Sequence, residues 1–215
     1  MDMETKAQKQ YFTNDLIIRA TLRKKLEKER EIYRKRGHKA EIFEELGVQH
    51  GAARIDYAII NGVMCGYEIK SDRDTLDRLS DQVKEFSAVF DKLTLVVGKR
   101  HLHQAIYKIP DWWGILLAKE KNNGQVALQV IRTPRQNKQQ CAKSIARLLW
   151  REEALKILEE RNQAMGLRHK PREFIYTKLG DIFSDDVKSL KQRVSLTLTS
   201  REGWRSGVPL ALNGG

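Results

Sequence analysis

The chain has few of the features that mark secreted or membrane proteins. Only two cysteines, Cys65 and Cys141, occur in 215 residues, and both lie in apolar surroundings. They indicate a reducing compartment rather than a disulfide framework. No apolar run approaches the length of a membrane span, and residues 1–10 contain no signal-peptide core. We therefore predict a cytoplasmic protein that has no membrane partner.

The charge balance, by contrast, is strongly one-sided. Forty Lys and Arg residues stand against 28 Asp and Glu, which gives a net charge of +12 at pH 7. An excess of this size favours a polyanionic partner, most often nucleic acid. Part of the excess lies in a helix predicted from residue 13 or 14 to Arg36. We interpret this helix either as a phosphate-contacting arm, with Arg23 and Lys24 as contacts, or as a solvated face balanced by its own glutamates.

The stretch from Arg54 to Lys70 has the clearest structural pattern. It predicts two apolar strands joined at an Asn-Gly pair, which is typical of β-hairpins. A two-residue loop would pair Asp56 with Tyr67, whereas a three-residue loop with a left-handed glycine would pair Asp56 with Glu68. We predict the longer loop, because only that register lets the two carboxylates converge.

This pattern suits metal-dependent hydrolysis. Lys70 shares a face with Glu68, because side chains alternate along a strand. Carboxylate oxygens are the ligands that Mg²⁺ prefers, and an ammonium group can position an attacking water and offset negative charge.

The order Asp56, then Glu68-Ile69-Lys70 on the next strand, resembles the signature of the PD-(D/E)XK nuclease superfamily, although Ile55 replaces its proline. The wider stretch, from GYEIKSDRDTLDRL to the WWG at 112–114, resembles a small branch of bacterial and phage proteins in that superfamily. The resemblance implies an α/β fold with a restriction-endonuclease-like mixed central sheet flanked by helices. It also implies a Mg²⁺-dependent phosphodiesterase, in which Mn²⁺ can substitute, acting on nucleic acid with DNA favoured.

The same resemblance implies a role for each matching residue. The metal ligands would be Asp56, Glu68 and the Ile69 carbonyl, while Lys70 would serve the water nucleophile. Superfamily members often supply a further carboxylate from a helix before the first strand. Glu45 is the residue we align with it, on a short helix predicted over 39–46, and Glu44 is the alternative.

Three further residues are candidates around this centre. Gln82 lies on the helix after the Glu-x-Lys strand, where several nuclease branches place a glutamine that contacts the water or a phosphate. Arg54 has the same strand parity as Asp56 and could hold a phosphate, with a structural ion pair as the alternative. Arg78 lies one helical turn before Gln82 and is a second nucleic-acid contact.

The remaining patterns divide the chain into three parts. We predict a basic N-terminal helix (1–38), a nuclease-like core (39–133) and a helical C-terminal extension packed on the core (134–215). Within them we expect strands at 92–98, 111–120 and 125–132 and helices at 75–90, 142–163, 172–179 and 185–198. Residues 1–12 and the tail GVPLALNGG are expected to be mobile.

Three functions are compatible with these observations. The first is the metal-dependent nuclease, for which a homodimer is plausible because one active site cuts one strand. The second is a non-catalytic nucleic-acid-binding protein on the same fold. The third is an interaction module for an acidic protein partner. The sequence does not decide between DNA and RNA.

Overall fold

The computed structural model describes residues 13–121 and 123–201. The strands are β1 Glu41–Val48, β2 Ala53–Ile60, β3 Met64–Lys70, β4 Lys92–Gly98, β5 Gly114–Glu120 and β6 Val126–Arg132. The helices are α1 Asp15–Lys35, α2 Leu79–Ser87, α3 Leu102–Lys108, α4 Ala142–Ala146, α5 Arg151–Glu159, α6 Arg172–Ile182 and α7 Val187–Ser200.

All six strands form one mixed sheet in the order β1-β2-β3-β4-β5-β6. The β1–β2, β2–β3 and β5–β6 pairs are antiparallel, whereas β3–β4 and β4–β5 are parallel. The predicted mixed α/β class with a central sheet flanked by helices is therefore confirmed. The parallel β3–β4 pair follows from the crossover through α2, because parallel neighbours need a connection that crosses the sheet.

The β2–β3 hairpin has the predicted register. Tyr57 pairs with Tyr67 and Ile60 pairs with Met64, and continuing this register by one residue sets Asp56 opposite Glu68. The loop between the strands has three residues, and its glycine has a φ of +92°, a left-handed conformation that glycine adopts without steric cost.

Helix α1 covers one face of the sheet. The side chain of Asn14 caps it by accepting a hydrogen bond from the backbone N–H of Ile17 at 3.0 Å. Its apolar side chains Ile18, Leu22 and Leu26, spaced one turn apart, are fully buried against the sheet. The predicted helix is confirmed.

The opposite face of the sheet packs on α2 and on the C-terminal helices. Buried apolar side chains from β2, β3, β4, α2 and α4 to α7 belong to one continuous cluster. Large members include Phe86, Phe90, Trp113 and Phe183, none of which is exposed. The predicted division of the chain into three parts stays a prediction.

Two predicted helices are wrong. Residues 41–48 form β1 rather than the short helix over 39–46, because this segment pairs along its length with β2 and long-range pairing overrides the helix propensity of its glutamates. The long helix predicted over 142–163 is interrupted at 147–150. It restarts at α5, where the Glu153 carboxylate accepts the Trp150 backbone N–H at 2.7 Å.

Some predictions fall outside the described residues, namely the mobility of residues 1–12 and of the GVPLALNGG tail.

Both cysteines are free thiols, with Cys141 exposed and Cys65 half-buried. None of the helices within 13–121 and 123–201 is long and apolar enough to cross a membrane.

Gly66→Ala should destabilise the hairpin end of the sheet. A Cβ atom at Gly66 would lie 2.4 Å from Ile55 Cδ1 and 2.8 Å from Leu93 Cδ2, so the core would have to shift to accommodate it. Overpacking of this kind costs about 1–3 kcal/mol of the free energy of unfolding, which urea denaturation measures. The exposed Ser80→Ala is the control, and equal stability of the two variants would contradict the close packing.

Candidate functional site: an acid-lined cleft at the edge of the sheet

A cleft of about 760 Å³ opens where β2 begins and β3 ends. Seven carboxyl side chains and four basic ones line it, so its local charge is opposite in sign to that of the whole chain. The acidic lining residues are Asp15, Glu45, Asp56, Glu68, Asp74, Asp81 and Glu85, and the basic ones are Arg19, Arg54, Lys70 and Arg78.

Glu68 lies at the base of the cleft and is only 2% exposed. Its Oε1 atom accepts hydrogen bonds from Lys70 Nζ at 2.8 Å and from Gln82 Nε2 at 2.5 Å. Burial, and then the charge of Asp56, raise the pKa of Glu68 to about 7 against the opposing effects of Lys70 and Gln82. Glu68 therefore holds a proton to a higher pH than an ordinary glutamate does.

Asp56 lies beside Glu68 on β2. Its Oδ2 accepts the backbone N–H of Ile69 at 2.6 Å, and its Oδ1 accepts a hydrogen bond from Arg19 Nη2. Burial raises the pKa of Asp56, while the nearby Arg19 guanidinium and the Ile69 hydrogen bond act in the opposite direction.

Arg19 reaches into the cleft from α1 and contacts three carboxylates. Its Nε lies 2.6 Å from Asp15 and its Nη1 lies 2.8 Å from Glu45, in addition to the bond with Asp56. An arginine fork suits this role, because it offers five N–H donors in a fixed plane. Arg19 thus supplies the positive charge that holds the acids of β1 and β2 together.

The start of α1 is held in place by a second buried carboxylate, Asp72. Its Oδ2 accepts hydrogen bonds from the backbone N–H and the hydroxyl of Thr13 at 2.9 and 2.7 Å, and its Oδ1 accepts the backbone N–H of Arg100 at 2.8 Å. These bonds connect α1 to the segments that follow β3 and β4, and so they determine where Arg19 enters the cleft.

Most of the predicted site residues meet in this cleft. The structure brings together Glu45, Arg54, Asp56, Glu68, Ile69, Lys70, Arg78 and Gln82. Glu45 does so from a strand, with a left-handed φ of +50°, and not from the predicted helix.

Three charged residues considered in the sequence analysis lie outside the cleft lining. Glu44 forms an ion pair with Arg23, which also contacts Glu27. Lys24 is exposed on the outer side of α1. Of the two alternatives for the helical glutamate, Glu45 is therefore the one that faces the cleft.

Sequence reasoning did not assign Asp15, Arg19, Asp81 and Glu85 to this site. The i, i+4 spacing of Asp15 and Arg19 indicates a local ion pair. Nothing in the sequence signals the contact between Arg19 and Asp56, which are 37 residues apart. Asp81 and Glu85 flank Gln82 on α2, and their position could be read from helical spacing once Gln82 was assigned.

Within 13–121 and 123–201, no group of three or more His, Cys, Asp or Glu residues is arranged to hold a metal ion. The Mg²⁺ cofactor, or Mn²⁺ in its place, stays a prediction.

A family described as bacteriophage P4 protein cII matches residues 12–201, which includes every element of the fold and the whole cleft. The chain belongs to the phage P4 cII family. A curated relative, protein cII of Enterobacteria phage P4, is 33% identical over 96 residues. That alignment covers 45% of this chain and 36% of the relative. No solved structure matches the chain significantly.

Membership of the cII family corrects the sequence analysis. The assignment to the PD-(D/E)XK superfamily is wrong, and the prediction of a Mg²⁺-dependent phosphodiesterase falls with it, because the match to protein cII covers nearly the whole chain. The resemblance depended on three charged residues, and short motifs recur by chance. The hydrolytic roles of Asp56, Glu68, Lys70 and Gln82 depended on that superfamily and are not carried forward.

Glu68→Gln should change how stability depends on pH. A carboxyl group whose pKa is raised by folding favours the folded state below its unfolded pKa of about 4.5, and this contribution is lost as the pH rises through about 7. Wild-type protein should therefore lose about 3 kcal/mol relative to the glutamine variant across this interval. Urea unfolding of both proteins from pH 4 to 8 measures the difference.

The exposed Glu152→Gln, far from the cleft, controls for the substitution itself. A stability difference between Glu68→Gln and wild type that stays constant with pH would show that Glu68 does not change its ionisation within this range.

Proposed function

We propose that the protein binds nucleic acid, with DNA favoured, through the outer face of α1, and that it does so without cleaving it. The net charge of +12 supports a polyanionic partner. The observation that carries the proposal is a row of lysines on α1 that have no carboxylate within ion-pair distance among the residues that the structure describes.

This row consists of Lys24, Lys28 and Lys35, all exposed. At 100° per residue they lie within about 40° of one another around the helix, at axial spacings of about 6 and 10 Å. None of the three has an ion-pair partner in the part of the chain that the structure describes.

The acids of α1 contact other basic residues, although Glu31 lies on the same side of the helix as the row, three residues after Lys28 and four before Lys35. Glu27 contacts both Arg23 and Arg30, while Glu29 and Glu31 contact Lys25 and Arg34 at 3.9 Å. Asp15 is held by Arg19. The alternative interpretation of α1 as a face balanced by its own glutamates thus applies to its ion-paired arginines and to Lys25, whereas no carboxylate of the described residues lies within 4 Å of the lysine row.

The cleft is a poor site for the phosphate backbone. Its seven carboxylates outnumber its four basic side chains, and phosphate oxygens would meet repulsion there. The exposed Arg54 and Arg78 on its lining stay predicted nucleic-acid contacts. They would have to contact phosphate groups with their solvent-exposed ends, while the phosphate backbone stays outside the cleft.

We further infer that the core has the restriction-endonuclease-like arrangement and uses it for binding. The hairpin β2–β3 beside the parallel β3–β4 pair, with Asp56 opposite Glu68, supports this finer fold assignment. A fold does not fix an activity, since one scaffold serves many functions.

A homodimer stays a prediction that analytical ultracentrifugation can test. Because the alignment to protein cII covers 36% of that relative, the partner is argued from this chain's own charges.

Replacing Lys24, Lys28 and Lys35 together by glutamine should weaken DNA binding and flatten its salt dependence. Each lost phosphate contact on duplex DNA lowers the slope of log K against log salt by about 0.9. We expect the slope to fall by about two to three and the affinity at ~0.1 M salt to fall at least tenfold. Fluorescence anisotropy with a labelled duplex, from 50 to 300 mM NaCl, measures both, and gel analysis of the recovered duplex shows whether it is intact.

A matched control replaces three other exposed lysines, Lys119, Lys121 and Lys156, and so removes the same charge. An equal loss in the control would contradict a specific role of α1. If the wild-type protein bound the duplex but its affinity depended only weakly on salt concentration, this would contradict phosphate binding and favour an acidic protein partner. Repeating the titration with single-stranded DNA and with RNA ranks the nucleic-acid forms.

A further inference from the structure

The acid-lined cleft has a binding capacity that the nucleic-acid proposal does not use. It is large enough for a small molecule, at about 760 Å³. Its excess of carboxylates selects against anions. A ligand that enters this cleft should therefore carry positive charge.

Two oxygen atoms near the base of the cleft have no hydrogen-bond donor within residues 13–121 and 123–201. Glu68 Oε2 and Gln82 Oε1 are buried, and neither has a partner among the described residues. Glu68 is 2% exposed and lines the cleft together with Gln82. Buried polar atoms are rarely left without a partner, so these oxygens indicate a missing donor group.

Further acceptors lie along the wall that α2 forms. Asp81 and Glu85 line the cleft on either side of Gln82, and neither carboxylate has an ion-pair partner in the described part of the chain. Residues three or four positions apart on a helix lie about 5–6 Å apart at Cβ. Hydrogen-bond acceptors thus continue from the buried oxygens of Glu68 and Gln82 at the base to the more exposed carboxylates of Asp81 and Glu85 on the wall.

The protein itself shows which kind of donor suits these acids. The guanidinium of Arg19 contacts Asp15, Glu45 and Asp56, and the ammonium of Lys70 contacts Glu68. Both are nitrogen cations that donate several hydrogen bonds.

We propose that the cleft binds an organic cation through primary ammonium or guanidinium groups. One group would donate hydrogen bonds to Glu68 Oε2 and Gln82 Oε1, and a second would lie against Asp81 and Glu85. The cation is either a free polyamine or the lysine and arginine side chains of a basic peptide. This site does not depend on the proposed nucleic-acid binding, because the lysine row of α1 lies on the outer side of the helix.

Isothermal titration of nucleic-acid-free protein with spermidine at pH 8 tests the proposal. Wild-type protein should bind, and the double variant Asp81→Asn with Glu85→Gln should bind at least fivefold more weakly. The double variant should fold, because both side chains line the wall of the cleft and neither belongs to the hydrophobic core. Asp77→Asn is the control for loss of a nearby carboxylate, since Asp77 is an exposed acid that is absent from the cleft lining. The affinity of this variant for spermidine should equal that of wild-type protein.

A tetra-lysine peptide with blocked ends, used in place of spermidine, distinguishes the two sources of the cation. Tighter binding of the peptide would support a protein segment as the ligand, and tighter binding of spermidine would support a free polyamine. The proposal is overturned if wild-type protein binds neither probe, if Asp77→Asn loses as much affinity as the double variant, or if equimolar MgCl₂ displaces the probe completely. Failure of the lysine-row variants to weaken DNA binding would leave these results unaffected.

Discussion

A buried carboxylate has to receive hydrogen bonds, and this requirement organises the structure around Glu68. Burial without donors would be costly for any charged group. The donors come from separate parts of the chain, namely Lys70 on β3 itself and Gln82 on α2. Its neighbour Asp56 accepts hydrogen bonds from the β3 backbone and from Arg19 of α1. The two acids therefore connect the sheet to the helices on both of its faces.

The same constraint separates the charges of a strongly basic protein. The connection of Asp72 to Thr13 fixes the start of α1, and Gly98 permits it, since a Cβ there would lie 2.3 Å from Asp72 Oδ1. The buried apolar stripe then sets the rotation of α1. Once that rotation is set, Arg19 faces the acids and Lys24 faces outward. Acidic and basic surfaces thus result from one helix orientation.

The sequence predicted those parts whose causes are local. The left-handed glycine and the charges within apolar strands fixed the hairpin register, and branched apolar residues fixed β4 over Lys92–Gly98. Local causes fail at Glu45, because the segment EIFEELG has helix propensity and only its pairing with β2 makes it a strand. Local sequence also does not predict the contact between Arg19 and Asp56, because that contact depends on how α1 packs on the sheet.

The failure of the nuclease assignment has a physical side as well. An Asp on one strand opposite Glu-x-Lys on the next places a charged cluster at the end of a hairpin, and the sequence predicts that geometry correctly. What the cluster does depends on the groups that the rest of the chain sets against it. In this protein α1 supplies a guanidinium to Asp56 and Glu45, so these carboxylates meet N–H donors. Function has to be argued from that complete environment, because the strand motif contains only half of it.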